Sequence, residues 1–116
     1  MSELEFVQAD PSHPAWRSPL RGPLDGAPGE IRDVSAEARD GPLGPAAGLA
    51  GIEIETPLAP TLLSRLTDLD SPGVGAVARV RALVSHDGAN RYRLWFPQEY
   101  AAYMAAIVRD ALEGLR

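Results

Sequence analysis

The side chains with catalytic or metal-binding potential are few and lie far apart along this chain. His13 and His86 are its two histidines, and neither is followed by a second ligand at the spacing that zinc sites use. Glu53 and Glu55 share one face of a predicted strand, where two carboxylates could exchange protons if their environments differed. We expect that face to be exposed to solvent, so the environments of the two carboxylates should not differ in the way that acid–base catalysis requires. The sequence therefore predicts neither a metal site nor a catalytic site.

The sequence also lacks the motifs for nucleotide binding and for catalysis by a serine nucleophile. All 11 basic residues are arginine, so a phosphate-binding loop that ends in lysine is excluded, and no serine stands in a Gly-x-Ser-x-Gly elbow. Gly73-Val74-Gly75 precedes a predicted strand instead of opening a helix, which argues against dinucleotide binding. We expect that the chain is not an enzyme by itself.

A cluster of arginines lies on a predicted β-hairpin. Residues 76–84 alternate as a strand, Asp87-Gly88 signals the turn within 85–90, and residues 91–96 alternate as the returning strand. One face of this hairpin is predicted to carry Arg79, Arg81, Arg91, Arg93 and Trp95. Opposed arginines repel each other, so acidic groups should neutralise them. These acidic groups could come from any of three sources: Glu53 and Glu55 on a neighbouring strand, a partner protein, or a polyanionic ligand.

Composition limits the class of protein. A chain of 116 residues that is 45% hydrophobic and 6% aromatic predicts one modest core. The net charge of -5 argues against binding to nucleic acid or to an anionic membrane, and no apolar run approaches the roughly 20 residues of a bilayer span. The absence of cysteine, together with an N-terminus unlike a signal peptide, favours a cytoplasmic protein without disulfides.

Residues 1–50 are rich in proline and glycine, which interrupt regular structure, and we interpret them as an extended arm that wraps a partner. Four residues of this arm are predicted to anchor it in a partner's groove: Trp16, Arg17, Leu20 and Leu24. Tryptophan is enriched at such binding hot spots. The alternative is that Trp16 caps the core of this chain. A short edge strand is predicted at residues 30–34.

Residues 51–116 predict a compact domain in the order strand, helix, strand, strand, helix. The first helix begins at Thr56-Pro57, and its leucine stripe is Leu58, Leu62, Leu66 and Leu69. The last helix runs from 98 to 115, with the apolar face Tyr100, Tyr103, Met104, Ile107, Ala111, Leu112 and Leu115. The predicted fold is α+β, a small antiparallel sheet with two helices on one face, preceded by the arm.

Three segments together resemble the gamma subunit of heterotetrameric sarcosine oxidase: Trp16 to Leu20, Leu58 to Asp70, and Arg91 to Tyr103. Members of that family are much longer, so the resemblance implies a shortened variant. It implies a noncatalytic accessory subunit that stabilises larger flavoprotein subunits in a hetero-oligomeric oxidoreductase, acting on an N-methyl amino acid or a secondary amine. No cofactor would bind to this chain, because the flavin belongs to the partner subunits. The alternative is a free-standing regulatory domain that binds an anionic ligand through the arginine face.

Overall fold

The computed structural model describes residues 17–40, 49–67, 73–86 and 88–115. The strands are β1 (Ile31–Asp33), β2 (Leu49–Glu55), β3 (Gly73–Val77), β4 (Val80–His86) and β5 (Arg91–Pro97). The α-helices are α1 (Ala59–Leu66) and α2 (Ala101–Gly114), and 3₁₀ helices cover Ser35–Asp40 and Gln98–Tyr100. The predicted α+β class is confirmed. In the described ranges, no helix has both the length and the hydropathy that a membrane crossing requires.

The sheet has five strands in the order β1-β2-β5-β4-β3, and every neighbouring pair is antiparallel. β2 and β5 pair along their whole length, from Leu49 opposite Pro97 to Glu55 opposite Arg91. The predicted edge strand is confirmed as β1, which pairs with β2. The opposite edge is β3, which the sequence did not predict as a separate strand.

The prediction of one strand over 76–84 is wrong, because the chain reverses at Ala78 and Arg79. These two residues have φ angles of +50° and +71°, a left-handed conformation that residues with a Cβ rarely adopt. The Ala78 N–H donates to the Leu66 carbonyl at 2.7 Å, and the Ala78 carbonyl accepts from the Tyr103 hydroxyl at 2.8 Å. Contacts with both helices therefore hold a turn that its own residues do not favour. The predicted turn within residues 85–90 is confirmed around Gly88, whose φ is +110°.

Both helices pack on one face of the sheet and enclose the main core. Its fully buried members include Ile52, Ile54, Leu62, Leu94, Phe96, Met104 and Val108. The predicted apolar face of the last helix is partly wrong, since Tyr100 and Tyr103 are 42% and 44% exposed whereas Val108 is buried. Tyr103 lies at the rim of the core because its hydroxyl reaches the Ala78 turn.

The first helix begins slightly later than predicted. The Thr56 hydroxyl accepts a hydrogen bond from the Leu58 N–H at 3.3 Å, and the helix proper starts at Ala59 with Pro60 in its first turn. Proline is compatible with that position, because the first N–H groups of a helix have no partner within it. Leu69, the last residue of the predicted stripe, lies outside the described residues.

The segment 17–40 packs onto the sheet and the helices instead of extending away from them. Leu20 is fully buried in the main core and Ile31 is 4% exposed there. Arg109 on α2 donates from Nη1 to the carbonyls of Pro23, at 3.0 Å, and Asp25, at 3.3 Å. The domain boundary predicted after residue 50 falls inside β2. Residues 17–40 therefore belong to the same folded unit as the rest of the described chain.

Candidate protein-interaction surface

The face of the sheet opposite the two helices, here called the outer face, carries an ion-pair network centred on Glu53. Its side chain is 0% exposed and lies between Arg32 on β1 and Arg93 on β5, its register partners. Oε2 accepts from Arg93 Nε at 2.7 Å, and Oε1 accepts from Arg32 Nη2. Arg93 Nη2 also lies 3.3 Å from Glu37 Oε1 on the 3₁₀ helix. Two guanidinium groups thus stabilise the buried carboxylate.

The expectation of a solvent-exposed carboxylate pair is therefore wrong for Glu53 and right for Glu55, which is exposed. Glu53 is buried because the 3₁₀ helix packs over β2, a contact that strand alternation cannot reveal. Glu55 Oε2 lies 3.7 Å from Arg91 Nη1. Of the three acidic sources left open by the sequence, the neighbouring strand neutralises Arg91 and Arg93. Both arginines are partly exposed, so their role in binding a partner stays a prediction.

Arg79 and Arg81 are arranged differently from the prediction. Because the chain turns at residues 78–79, Arg81 lies opposite Ala76, and Arg93 lies opposite Ser85. The four arginines therefore do not face one another. Arg79 and Arg81 are both exposed, and within the described ranges neither forms an ion pair.

An apolar row crosses the outer face at right angles to the strands. Its members are Val34, Gly51, Trp95, Leu83 and Val74, aligned by successive strand pairings. Trp95 is 8% exposed and packs with Val34, Leu49 and Leu83. This burial corrects its prediction as a partner contact, and it is possible because the Trp95 ring lies directly over Gly51.

The two ends of the apolar row differ in exposure. At β2 the 3₁₀ helix covers it, and the buried Ser35 hydroxyl accepts from the Gly51 N–H at 3.0 Å. At β4 and β3, Leu83 is half-buried and Val74 is 53% exposed. The sequence did not reveal this exposed end, because Val74 was predicted to precede a strand and not to lie in one. The alternation of Val74 and Ala76 with the buried Val77 is the signal that could have revealed it.

The structure describes three of the four residues that were predicted to anchor the arm in a partner. Trp16 lies outside the described residues. Leu20 is buried in the main core and Leu24 packs against that core, which corrects their prediction as anchors in a partner's groove. Arg17 is exposed and lines an open groove of about 440 Å³ together with Ser18, Pro19, Arg21, Gln98 and Glu99.

The histidines show no convergent chemistry in the described part of the chain. His86 ends β4 and stacks on Tyr92 of β5, with ring centroids 4.2 Å apart and planes 2° from parallel. His13 lies outside the described residues. Among the described residues, no three His, Cys, Asp or Glu side chains group closely enough to hold a metal ion.

No protein-family model, curated protein or solved structure matches this chain. The feature that stands out is the β3–β4 hairpin, which carries the exposed end of the apolar row together with Arg79 and Arg81, neither of which forms an ion pair with a described residue.

Proposed function

We propose that this chain is a noncatalytic accessory subunit that binds a larger protein through the outer face of its sheet. The observation that carries the proposal is the pair Arg79 and Arg81, exposed and without an ion pair in the described ranges, on the same β3–β4 hairpin as the exposed Val74. Arginine is enriched at protein interfaces and hot spots, whereas lysine is depleted there.

The charge balance of the sheet supports a protein partner. Arg32, Arg91 and Arg93 each pair with a glutamate, although the chain as a whole carries a net charge of -5. Carboxylates are thus in excess, and Arg79 and Arg81 still have none in the described ranges. A carboxylate supplied by another protein would complete the pattern that the rest of the sheet follows.

The sequence resemblance supports a particular class of partner. Its last segment, residues 91–103, covers β5, which ends at Pro97, then the 3₁₀ turn and the start of α2. We propose that the partners are the larger, flavin-binding subunits of a cytoplasmic enzyme that oxidises an N-methyl amino acid or a secondary amine. In that complex this chain stabilises the assembly and takes no part in the chemistry.

The alternative of a free-standing domain for an anionic ligand has less support from the geometry. Arg91 and Arg93 are held by Glu55 and Glu53, so a ligand would rely on Arg79 and Arg81. An anion between two exposed arginines would be screened by water and salt. A protein partner can instead bury apolar surface at the same place.

The proposal is tested by purifying the tagged chain from its native host under mild conditions. We expect a complex several times heavier than the 12.4 kDa chain, with the visible absorption of flavin. A second preparation, treated with a zero-length cross-linker inside the cells, guards against loss of the partner during purification. A colourless monomer in both preparations would contradict the proposal. An anion-induced rise in the melting temperature of that monomer would favour the alternative.

A further inference from the structure

We infer that the partner docks an acidic amphipathic helix across β4 and β3 of the outer face. In this arrangement the apolar residues of the helix contact Leu83 and Val74, and its carboxylates pair with Arg81 and Arg79. The inference rests on the proposed function, since it identifies the part of the partner that the accessory subunit binds.

The dimensions and coverage of the outer face fit a helix. Strands in a sheet lie about 4.8 Å apart, so the row from Trp95 through Leu83 to Val74 spans roughly 10 Å, close to the diameter of an α-helix. The 3₁₀ helix Ser35–Asp40 already packs over β2 on the same face. A second helix beside it would extend that layer over the exposed half.

The charges on the exposed half favour an acidic helix as the docked segment of the partner. On the covered half the charges nearly cancel, because three glutamates form ion pairs with three arginines. The glutamates are Glu37, Glu53 and Glu55, and the arginines are Arg32, Arg91 and Arg93. On the exposed half Arg81 stands on β4 opposite Ala76, whose short side chain leaves the guanidinium accessible to a partner. A basic or neutral helix would leave this arginine desolvated without a counter-charge, which is unfavourable.

The turn that carries Arg79 is strained and held in place. Left-handed φ values at Ala78 and Arg79 are unfavourable for residues with a Cβ, and the Ala78 backbone is fixed by its hydrogen bonds to Leu66 and Tyr103. Strain of this kind is found at functional sites, where the surrounding structure enforces it. Here the turn sets the register of β3 with β4, which places Arg81 opposite Ala76 on the outer face.

The open groove lined by Arg17 and Arg21 is the competing surface. Glu99 stands in the same groove and opposes the positive charge, and no exposed aliphatic side chain of the row lies there. The outer face combines the exposed Val74 with Arg81, which has no ion pair among the residues that the structure describes, so the inference is made for this face. Arg21 then provides a matched control, since it is also exposed.

The test uses the full chain in its native host and has two parts. A photoreactive p-benzoylphenylalanine replaces Ala76 on the outer face or Ala102 on α2, both exposed, and the cross-linked partner peptide is sequenced by mass spectrometry. We expect a cross-link from position 76 to an acidic amphipathic helix and none from position 102. The sequenced helix is then synthesised as the binding probe.

Binding of that peptide is measured for the natural chain, Arg81→Glu and Arg21→Glu, each checked by thermal melting. We expect Arg81→Glu to weaken binding at least about tenfold, Arg21→Glu to change it less than about twofold, and an arginine in place of an acidic peptide residue to restore binding to Arg81→Glu. Equal binding by all variants, or a cross-link to a basic segment, would overturn the inference. A complex that forms without a cross-link at position 76 refutes only the docking site, whereas absence of any partner refutes the proposed function with it.

Discussion

Because Gly51 contacts Trp95, replacing Gly51 with alanine should change the stability of the fold in the opposite direction from most glycine-to-alanine substitutions in strands. Replacing a strand glycine with alanine normally stabilises a protein, because it limits the unfolded chain and adds strand propensity. Gly51 differs, since a Cβ built on it lies 2.6 Å from Cε3 and 2.9 Å from Cη2 of Trp95. We therefore predict that Gly51→Ala destabilises the fold.

The size of the effect follows from how little the indole ring can move. Trp95 is 8% exposed and packed between Val34, Leu49 and Leu83, while Gly51 is fixed by a 3.0 Å hydrogen bond to Ser35 Oγ. Overpacking of this kind costs about 1–3 kcal/mol. For a chain of this size, a loss of about 2 kcal/mol lowers the melting temperature by roughly 8 °C.

A double-mutant cycle provides the assay. Thermal and urea unfolding are measured for the natural chain, Gly51→Ala, Trp95→Ala and the double variant. If the ring is the cause, Gly51→Ala should cost about 2 kcal/mol with Trp95 present and close to nothing without it, a coupling within the usual range. Gly114→Ala at the end of α2, where a Cβ meets nothing within 4 Å, should be neutral or stabilising. An undiminished cost in the Trp95→Ala background would refute the reasoning.

Three further predictions concern the core, the ion pairs and the turn. Leu20→Ala should lower the free energy of unfolding of the isolated chain by about 2–4 kcal/mol, as measured in urea; no change would place Leu20 outside the core. Arg93→Ala should cost about 3 kcal/mol, more than Glu53→Gln at about 1–2, because it leaves a buried carboxylate with one partner; the reverse order would contradict the assigned network. Arg79→Gly should raise stability by up to about 1 kcal/mol, since glycine adopts a positive φ without strain, while weakening recovery of the partner. Reduced stability in thermal melting would show that the turn is not strained.

The sequence identified the elements whose signals are local. The alternation of Ile52 and Ile54 with glutamates predicted β2, and the same pattern predicted β5. Because side chains on one face of paired strands meet, the pairing of these glutamates with Arg91 and Arg93 could be proposed before the structure was known. The register of β2 with β5 bears out that proposal.

The missing parts depend on contacts between residues distant in sequence. The turn at Ala78 and Arg79 contains no glycine, asparagine or aspartate, and it forms because Leu66 and Tyr103 bind its backbone. Proline and glycine content suggested a separate arm at residues 1–50, whereas Leu20 enters the core and Arg109 binds the carbonyls of Pro23 and Asp25. Composition reports how easily a segment forms regular structure, and it does not report what that segment packs against.

The division of the arginines links the fold to the proposed function. A sheet face with four opposed arginines would have indicated an anion site, but the turn at residues 78–79 separates them into two groups. Arg91 and Arg93 lie next to β2 and pair with its glutamates, while Arg81 lies on β4 opposite Ala76 and Arg79 lies in the turn itself. The same turn separates β3 from β4, and β3 carries the exposed Val74. One strained turn therefore produces a hairpin that combines an exposed valine with two exposed arginines that form no ion pair with a described residue, and that combination favours a protein partner over a small anion.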